Sequence, residues 1–240
     1  MQVNTNKYTI IFMVILTVVM ALLLALAAEG LKERQEFNVA FANKEAILKS
    51  VNIVDRERVL EIYENQVEEI VVDYEGNEIT EDEDGEPIQA SLIDHRREVR
   101  RPLEEQRLPL YRFNDEDGST YYIIPVRGSG LWNEIWGYIA FESDLNTIYG
   151  ASFDHAAETP GLGAEIATSW FQDQFQGKKI FDEQGNFVSV YVRKGGARDD
   201  KHEVDGIAGS TVTADGVTDM LEQGLQKYLP FFDKIREEPI

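Results

Sequence analysis

The chain has 240 residues, 43% of them hydrophobic, and a formal net charge of −21 at pH 7. This length accommodates one membrane anchor and one medium-sized domain, and the hydrophobic content is that of a folded protein. Lys7 is the only charged residue among the first 28, so the acidic excess lies entirely in the remainder. Such a domain repels phosphate backbones and anionic headgroups, which excludes nucleic acid as a partner. We interpret the charge as a source of solubility or an adaptation to a salty medium; attraction of cations or of a basic partner is the alternative.

Cysteine is absent and histidine is scarce. Without cysteine the chain forms no disulfide, thiolate zinc site, iron–sulfur cluster or cysteinyl flavin link. His95, His155 and His202 are widely spaced and follow no metal-binding pattern, so we expect no metal site. Neither a GxGxxG sequence after a strand nor a GxSxG sequence is found, which argues against a dinucleotide-binding fold and a serine hydrolase.

An uncharged, mostly apolar stretch occupies residues 8–28. An apolar helix of about 20 residues spans a bilayer core, whereas the apolar region of a signal peptide usually has about 7–15. We therefore predict an anchor rather than a cleaved signal, although Ala25-Leu26-Ala27 resembles a cleavage site. Positive charges lie on both sides of the stretch and hardly discriminate its orientation. The short tail before a large domain favours residues 1–7 as a cytoplasmic tail, 8–28 as a transmembrane helix and 29–240 as an extracytoplasmic domain.

The remaining sequence predicts a single mixed α+β domain. Few helix breakers occur in residues 31–52, so the anchor helix should continue. Strands are expected over residues 68–74, 120–126, 137–141, 148–153 and 187–192, and the acidic residues 81–86 should form an exposed loop. Helices are expected over residues 164–175, with Ile166, Trp170 and Phe175 on one face and Gly177 as C-cap, and over residues 215–228. The apolar stripe predicted for this last helix contains Val217, Met220, Leu221, Leu225 and Tyr228.

A loop with the sequence Glu158-Thr159-Pro160-Gly161-Leu162-Gly163 follows His155. Proline fixes one φ angle, and the two glycines permit positive φ and close approach of the backbone. Such a loop can lie flat against a planar ligand and offer it backbone N–H and C=O groups. By itself, however, the pattern is equally typical of a tight turn.

A second segment, Asp205-Gly206-Ile207-Ala208-Gly209-Ser210-Thr211-Val212-Thr213, directly precedes the last predicted helix. Free backbone amides and the positive end of the helix dipole suit a phosphate at this position. Plain helix capping by Thr213 is the simpler explanation, but three hydroxyls within four residues exceed what one cap requires. No lysine follows the glycines, so this is not a Walker loop.

These segments resemble the C subunit of the Na⁺-translocating NADH:quinone oxidoreductase. The resemblance rests on residues 155–166 (HAAETPGLGAEI), 205–213 (DGIAGSTVT), 125–132 (PVRGSGLW), 144–150 (DLNTIYG) and 227–232 (KYLPFF), and it is weakest over residues 51–101. It implies FMN esterified through its phosphate to Thr211, attached by a flavin transferase. The family commonly has Ser-Gly-Ala-Thr where this chain has Ala208-Gly209-Ser210-Thr211, so Ser210 offers a second hydroxyl. The spacing from Asp205 favours Thr211.

By this resemblance the phosphate end of FMN is held by Asp205, Gly209, Ser210, Thr211 and Thr213. The flavin ring is expected against Glu158, Thr159, Gly161, Leu162 and Gly163, with Asp205 and Glu158 assisting attachment or ring orientation.

The resemblance implies an electron-transfer subunit in a bacterial inner membrane, with the other subunits of the sodium-pumping quinone reductase as partners. It also implies that the chain carries no catalytic residue of its own and that its soluble domain is periplasmic. The G subunit of the related Rnf complex is the nearest alternative, and a flavin-free, membrane-tethered binding or scaffold domain is the other.

Overall fold

The structure is a computed structural model that describes residues 6–81, 85–98 and 100–237. The chain divides into two compact units, Met1–Asn43 and Lys44–Ile240. Half of the predicted acidic loop, residues 82–84, lies outside the described residues. The predicted class, an N-terminal apolar helix and a mixed α+β domain, is confirmed.

Helix α1 (Asn6–Ser50) contains the apolar stretch and continues beyond it, as predicted. Among the described helices it alone is long and apolar enough to cross a membrane. The side chains of its apolar stretch are exposed, whereas Ile47, Leu48 and Ser50 in its last turn are buried. The helix ends where the Ser50 hydroxyl donates to the carbonyl of Ile47 and Asn52 adopts a positive φ of 63°. The boundaries 1–7, 8–28 and 29–240 and their sides of the membrane remain predictions.

A five-stranded antiparallel sheet forms the centre of the second unit, with its strands in sequence order. Short helix α2 (Val59–Gln66) leads into the first strand. The strands are β1 (Val67–Val72), β2 (Leu108–Asn114), β3 (Thr120–Ser129), β4 (Glu134–Phe141) and β5 (Ile148–His155). The chain turns after β1, where Gly76 has a φ of 78°. Between β1 and β2 the described chain forms only short turns, among them α3 (His95–Glu98).

Helix α5 (Thr211–Gln226) packs on β3 and covers one face of the sheet. Close approach depends on glycines: a Cβ at Gly216 would overlap the carbonyl oxygen of Ser129, and one at Gly128 would lie 2.7 Å from Met220 Cβ. The predicted apolar stripe is confirmed, since all five of its side chains are buried. A further helix, α6 (Leu229–Glu237), was not predicted. It buries Phe232 against Phe141, with ring centroids 5.6 Å apart.

Two predictions between β5 and α5 were wrong. Residues 164–175 form a 3₁₀ turn (Gly163–Ala167), α4 (Ser169–Gln172) and another 3₁₀ turn (Asp173–Phe175) instead of one helix. The break falls at Thr168, whose backbone is extended and whose hydroxyl donates to the Glu165 carbonyl. Trp170 is consequently exposed, and Phe171 is the buried aromatic residue.

The predicted strand over residues 187–192 shrinks to β6 (Tyr191–Arg193), which pairs in parallel with β7 (Glu203–Asp205). Ser189 has a positive φ of 59° and interrupts the extended run. Because β7 precedes α5 by a few residues, this small sheet fixes the start of the loop that leads to Thr211.

Candidate functional site

The buried carboxylate of Glu158 joins three separate segments of the chain. Its Oε1 accepts a hydrogen bond from the backbone N–H of Trp132 at 2.9 Å. Its Oε2 accepts one from the hydroxyl of Thr213 at 2.8 Å. Glu158 itself is only 5% exposed. The β3–β4 loop, the loop after β5 and the first turn of α5 are thereby held together, so the two segments singled out in the sequence meet in space.

Glycines make room for this carboxylate. A Cβ at Gly163 would overlap Glu158 Oε2 and lie 2.7 Å from the Thr213 oxygen, and one at Gly130 would lie 2.5 Å from Glu158 Oε1. Gly163 therefore serves the packing of a buried side chain within the protein. Gly161 differs, because its φ is 75° and nothing lies within 4 Å of its added Cβ. Of the two glycines predicted to admit a ligand, Gly161 is the one with open space beside it.

The loop after β5 is also held by its own hydrogen bonds. The N–H of Glu158 donates to His155 Nδ1 at 3.2 Å, and the N–H of Gly161 donates to Glu165 Oε1 at 3.1 Å. The carbonyl of Thr159 accepts from the N–H of Leu162 at 3.1 Å. These bonds use the N–H groups of Gly161 and Leu162 at the tip of the loop and thereby hold the tip in shape.

The two adjacent hydroxyl residues at the start of α5 have different surroundings. Thr211 is the first helical residue and is exposed, whereas Ser210, at the cap position, is only 5% exposed. Gly209 precedes them with a positive φ of 78°. Helix capping by Thr213, the simpler explanation of this segment, does not apply, because Thr213 lies inside the first turn and its hydroxyl donates to Glu158. Its predicted part in binding the phosphate stays a prediction. The hydroxyl accessible to a modifying enzyme is that of Thr211.

The first turn of α5 offers unpaired backbone donors. The N–H of Ala214 is the first to close a helical turn, on the Ser210 carbonyl at 3.0 Å. The preceding N–H groups of residues 211–213 have no intrahelical acceptor, as at every helix N-terminus. Together with the helix dipole they favour an anionic group beside Thr211.

Exposed apolar side chains lie on all three joined segments. Trp132 is 68% exposed, Val212 53% and Leu162 39%. Leu162 also lies against the loop before α5, since its Cδ2 is 3.0 Å from where a Gly209 Cβ would be. Large exposed apolar side chains on segments that are held together favour a binding surface at this place. Trp132 was noted in the sequence only as part of a resemblance; its link to Glu158 became visible in the structure.

Asp205 has a different set of contacts from the one expected. Its Oδ1 accepts from the N–H of Ala197 at 2.7 Å, and its own N–H donates to Gln174 Oε1 at 2.8 Å. Within the described part of the chain, these contacts fix the turn before the site and do not involve Thr211. In the same described residues no cluster of His, Asp and Glu suits a metal ion.

Comparisons with known proteins agree with this site. A family model described as FMN-binding domain matches residues 130–226, which include all three joined segments. The C subunit of the Na⁺-translocating NADH-quinone reductase from Vibrio campbellii is 30% identical over 254 residues, covering 98% of this chain and 97% of its own length. The protein of the same name from Haemophilus ducreyi is also 30% identical, covering 95% and 93%.

Solved structures extend the agreement to the fold. The crystal structure of the C subunit from Parabacteroides distasonis has a TM-score of 0.74 and 38% identity, covering 84% of this chain and 96% of its own. That of NqrC from Shewanella oneidensis has the same fold at 23% identity, with a TM-score of 0.70. Given 30% identity over nearly the whole of both chains, this chain belongs to the family of C subunits of the Na⁺-translocating NADH-quinone reductase, a complex oxidoreductase.

Proposed function

We propose that this chain carries FMN bonded through its phosphate to the Thr211 hydroxyl oxygen and relays electrons within a sodium-transporting complex. The observation that supports this most is the position of Thr211: an exposed hydroxyl at the first residue of α5, beside the loop held by Glu158. The neighbouring Ser210 is buried, which favours Thr211 as the attachment residue.

The start of α5 suits the phosphate. A phosphodiester keeps about one negative charge, and a helix N-terminus stabilises such a charge by roughly 0.3–1 kcal/mol, more when it is partly buried. The N–H groups of residues 211–213 are free to donate to its oxygens. A covalent bond also removes dissociation, which matters for a cofactor held outside the cytoplasm.

The exposed apolar side chains suit the flavin ring. Leu162, Val212 and Trp132 are exposed on segments that meet at Glu158, and Gly161 leaves open space at the loop tip. Covering such surface with a planar ligand contributes about 25 cal/mol per Å². When bound, FMN supplies the redox chemistry, while these residues orient the ring and exclude water from it.

Electrons must reach and leave this chain through other subunits. The chain has no cysteine and no dinucleotide-binding motif, so it lacks the usual means to bind NADH or an iron–sulfur cluster. Its relatives are named as subunits of a NADH-quinone reductase that translocates Na⁺. We infer that α1 anchors the chain in the bacterial inner membrane with the domain on the periplasmic side, where a flavin transferase modifies it.

Fluorescence of the denatured protein tests this proposal. The full-length chain is produced with the flavin transferase as wild type, Thr211→Ala and Ser210→Ala, and a denaturing gel is viewed under ultraviolet light. A fluorescent band is expected for wild type and Ser210→Ala and none for Thr211→Ala, although that variant folds because residue 211 is exposed. A dark wild-type band would favour the flavin-free binding domain instead. Loss of fluorescence only in Ser210→Ala would move the attachment to Ser210.

A further inference from the structure

A small cavity lies at the opposite end of α5 from Thr211. Gly224 lies thirteen positions after Thr211 in the sequence. Along a helix this is a distance of about 20 Å. The cavity has a volume of about 40 Å³ and lies between the segment 95–109, strand β3 and the end of α5. The polar side chains of its lining belong to His95, Glu98, Gln106, Arg107, Arg127, Lys227 and Tyr228.

The lining is rich in hydrogen-bond donors. The Lys227 ammonium group donates to the neutral Gln106 Oε1 at 3.1 Å, and among the described residues no carboxylate lies within ion-pair distance of it. Burial lowers the pKa of Lys227, as expected for an ammonium group without a compensating negative charge. The Nε2 atom of His95 is buried and has no hydrogen-bond partner in the described part of the structure.

Acceptors in the lining are already used. Glu98 accepts from the backbone N–H of Arg107 and from its guanidinium group, both at 2.9 Å. The Arg127 guanidinium group lies 2.7 Å from the carboxylate of Glu134, and Glu134 is not part of the cavity lining. The Tyr228 hydroxyl donates to the Pro109 carbonyl at 2.8 Å. The oxygens of Glu98, Gln106 and Pro109 thus already accept hydrogen bonds. The Lys227 ammonium group and, in the tautomer that carries its proton there, the unpartnered Nε2 of His95 are donors that suit an anion.

The surrounding charges agree with this chemistry. The pKa of His95 is lowered to about 4, first by burial and then by the charges of Arg127 and Lys227. The C-terminal end of α5 disfavours an anion in the cavity, but a helix C-terminus carries only about half a negative charge. The full charge of Lys227 outweighs it. A cavity of about 40 Å³ holds roughly three water molecules, which leaves room for one halide ion.

We propose that this cavity binds a single small monovalent anion, of which chloride is the abundant example, between the Lys227 ammonium group and the Nε2–H of His95. The ion links the segment before β2 to the end of α5. Because only the folded chain has this cavity, anion binding stabilises the fold by mass action. The site is independent of flavin attachment.

Thermal unfolding of the full-length chain in detergent tests the proposal, with chloride replaced by gluconate at constant pH and ionic strength. Each tenfold rise in chloride above its dissociation constant should raise Tm by about 3–6 °C. The same rise is expected in the control Lys234→Met, which removes an exposed lysine, and none in Lys227→Met. Equal Tm of the wild type in the two salts, or an unchanged chloride effect in Lys227→Met, would refute the anion site.

Two measurements on the wild type keep the test decisive should Lys227→Met not fold. The imidazole resonances of His95, assigned by comparison with His95→Gln, should shift when chloride is added. The midpoint of this titration should equal the dissociation constant obtained from the chloride dependence of Tm. Crystals soaked in bromide should show an anomalous peak inside the cavity. Bromide peaks elsewhere but none in the cavity, or His95 resonances insensitive to chloride, would mean that the cavity holds water only.

Discussion

Replacement of Glu158 by alanine should destabilise the protein more than loss of any exposed acid. Its carboxylate is buried and accepts hydrogen bonds from the Trp132 N–H and the Thr213 hydroxyl. A hydrogen bond to a charged group contributes about 1.5–3 kcal/mol, and an unpaired buried donor costs about 1–3 kcal/mol. Glu158→Ala should therefore lower the free energy of unfolding by about 3–5 kcal/mol, a large part of the roughly 5–15 kcal/mol typical of a domain.

Glu158→Gln should be milder, because the amide oxygen accepts from Trp132 while its NH₂ group donates to the rotated Thr213 hydroxyl. Two neutral hydrogen bonds then replace two charged ones, a loss of about 2 kcal/mol. Glu165→Ala is the matched control in the same loop, since Glu165 accepts only one described side-chain hydrogen bond, from Gly161. It should cost about 1 kcal/mol or less.

Urea unfolding of the full-length variants in detergent, followed by tryptophan fluorescence, gives these free energies. A double-mutant cycle with Thr213→Val should show a coupling of about 1–2 kcal/mol between the two side chains. The reasoning fails if Glu158→Ala costs no more than Glu165→Ala, or if Glu158 and Thr213 contribute additively.

Further predictions concern the glycines and the response to acid. Gly163→Ala should destabilise the fold by about 2–3 kcal/mol, because the added Cβ overlaps Glu158. Gly161→Ala has open space around it and should cost only about 1 kcal/mol, for its positive φ. Urea unfolding midpoints of the two variants measure these losses, and equal losses would contradict the overlap. At Glu98, burial acts to raise the pKa, but hydrogen bonds and charge from Arg107 outweigh it and lower the pKa. Because the folded pKa is lower than the unfolded one, this stabilisation is present above about pH 4.5 and is lost as the pH falls further. Between about pH 6 and 3, the stability of Glu98→Gln, measured by circular dichroism, should therefore fall less steeply than that of the wild type. Parallel stability curves for the two proteins would refute this.

Local periodicity in the sequence predicted most of the regular structure. Residues 31–52 contain few breakers and continue α1, and the apolar stripe of α5 has the helical spacing that buries Val217, Leu221 and Leu225. The β-prone residues 120–126 and 137–141 lie in β3 and β4. For α5 the apolar pattern records the fold directly, because the side chains at that spacing form its buried face.

Where packing overrides local preference, the sequence was insufficient. Trp170 and Phe171 are adjacent aromatic residues, and the extended backbone of Thr168 decides that Phe171 is the buried one. Helix α6, which follows α5 with almost no break, was not predicted. Its burial of Phe232 depends on Phe141, far away in the chain.

The site was predicted as two separate segments, and their meeting was not. The contact between Glu158 and Thr213 joins residues 55 positions apart, a distance at which periodicity carries no information. Glu158 was expected to assist flavin attachment or to orient the ring, and this stays a prediction. Its described contacts join the segments around it. The one signal in the sequence that agrees with this joining role is Gly163 in the same loop, because its missing Cβ leaves room for the carboxylate.

Peptide mass spectrometry of the native protein tests the central claim most directly. After proteolysis of material purified from its own membrane, the peptide that contains residues 205–213 should be heavier by the mass of FMN less one water. Fragmentation should place the added mass on Thr211. The unmodified peptide in full yield, or an adduct located on Ser210 or Thr213, would contradict the account.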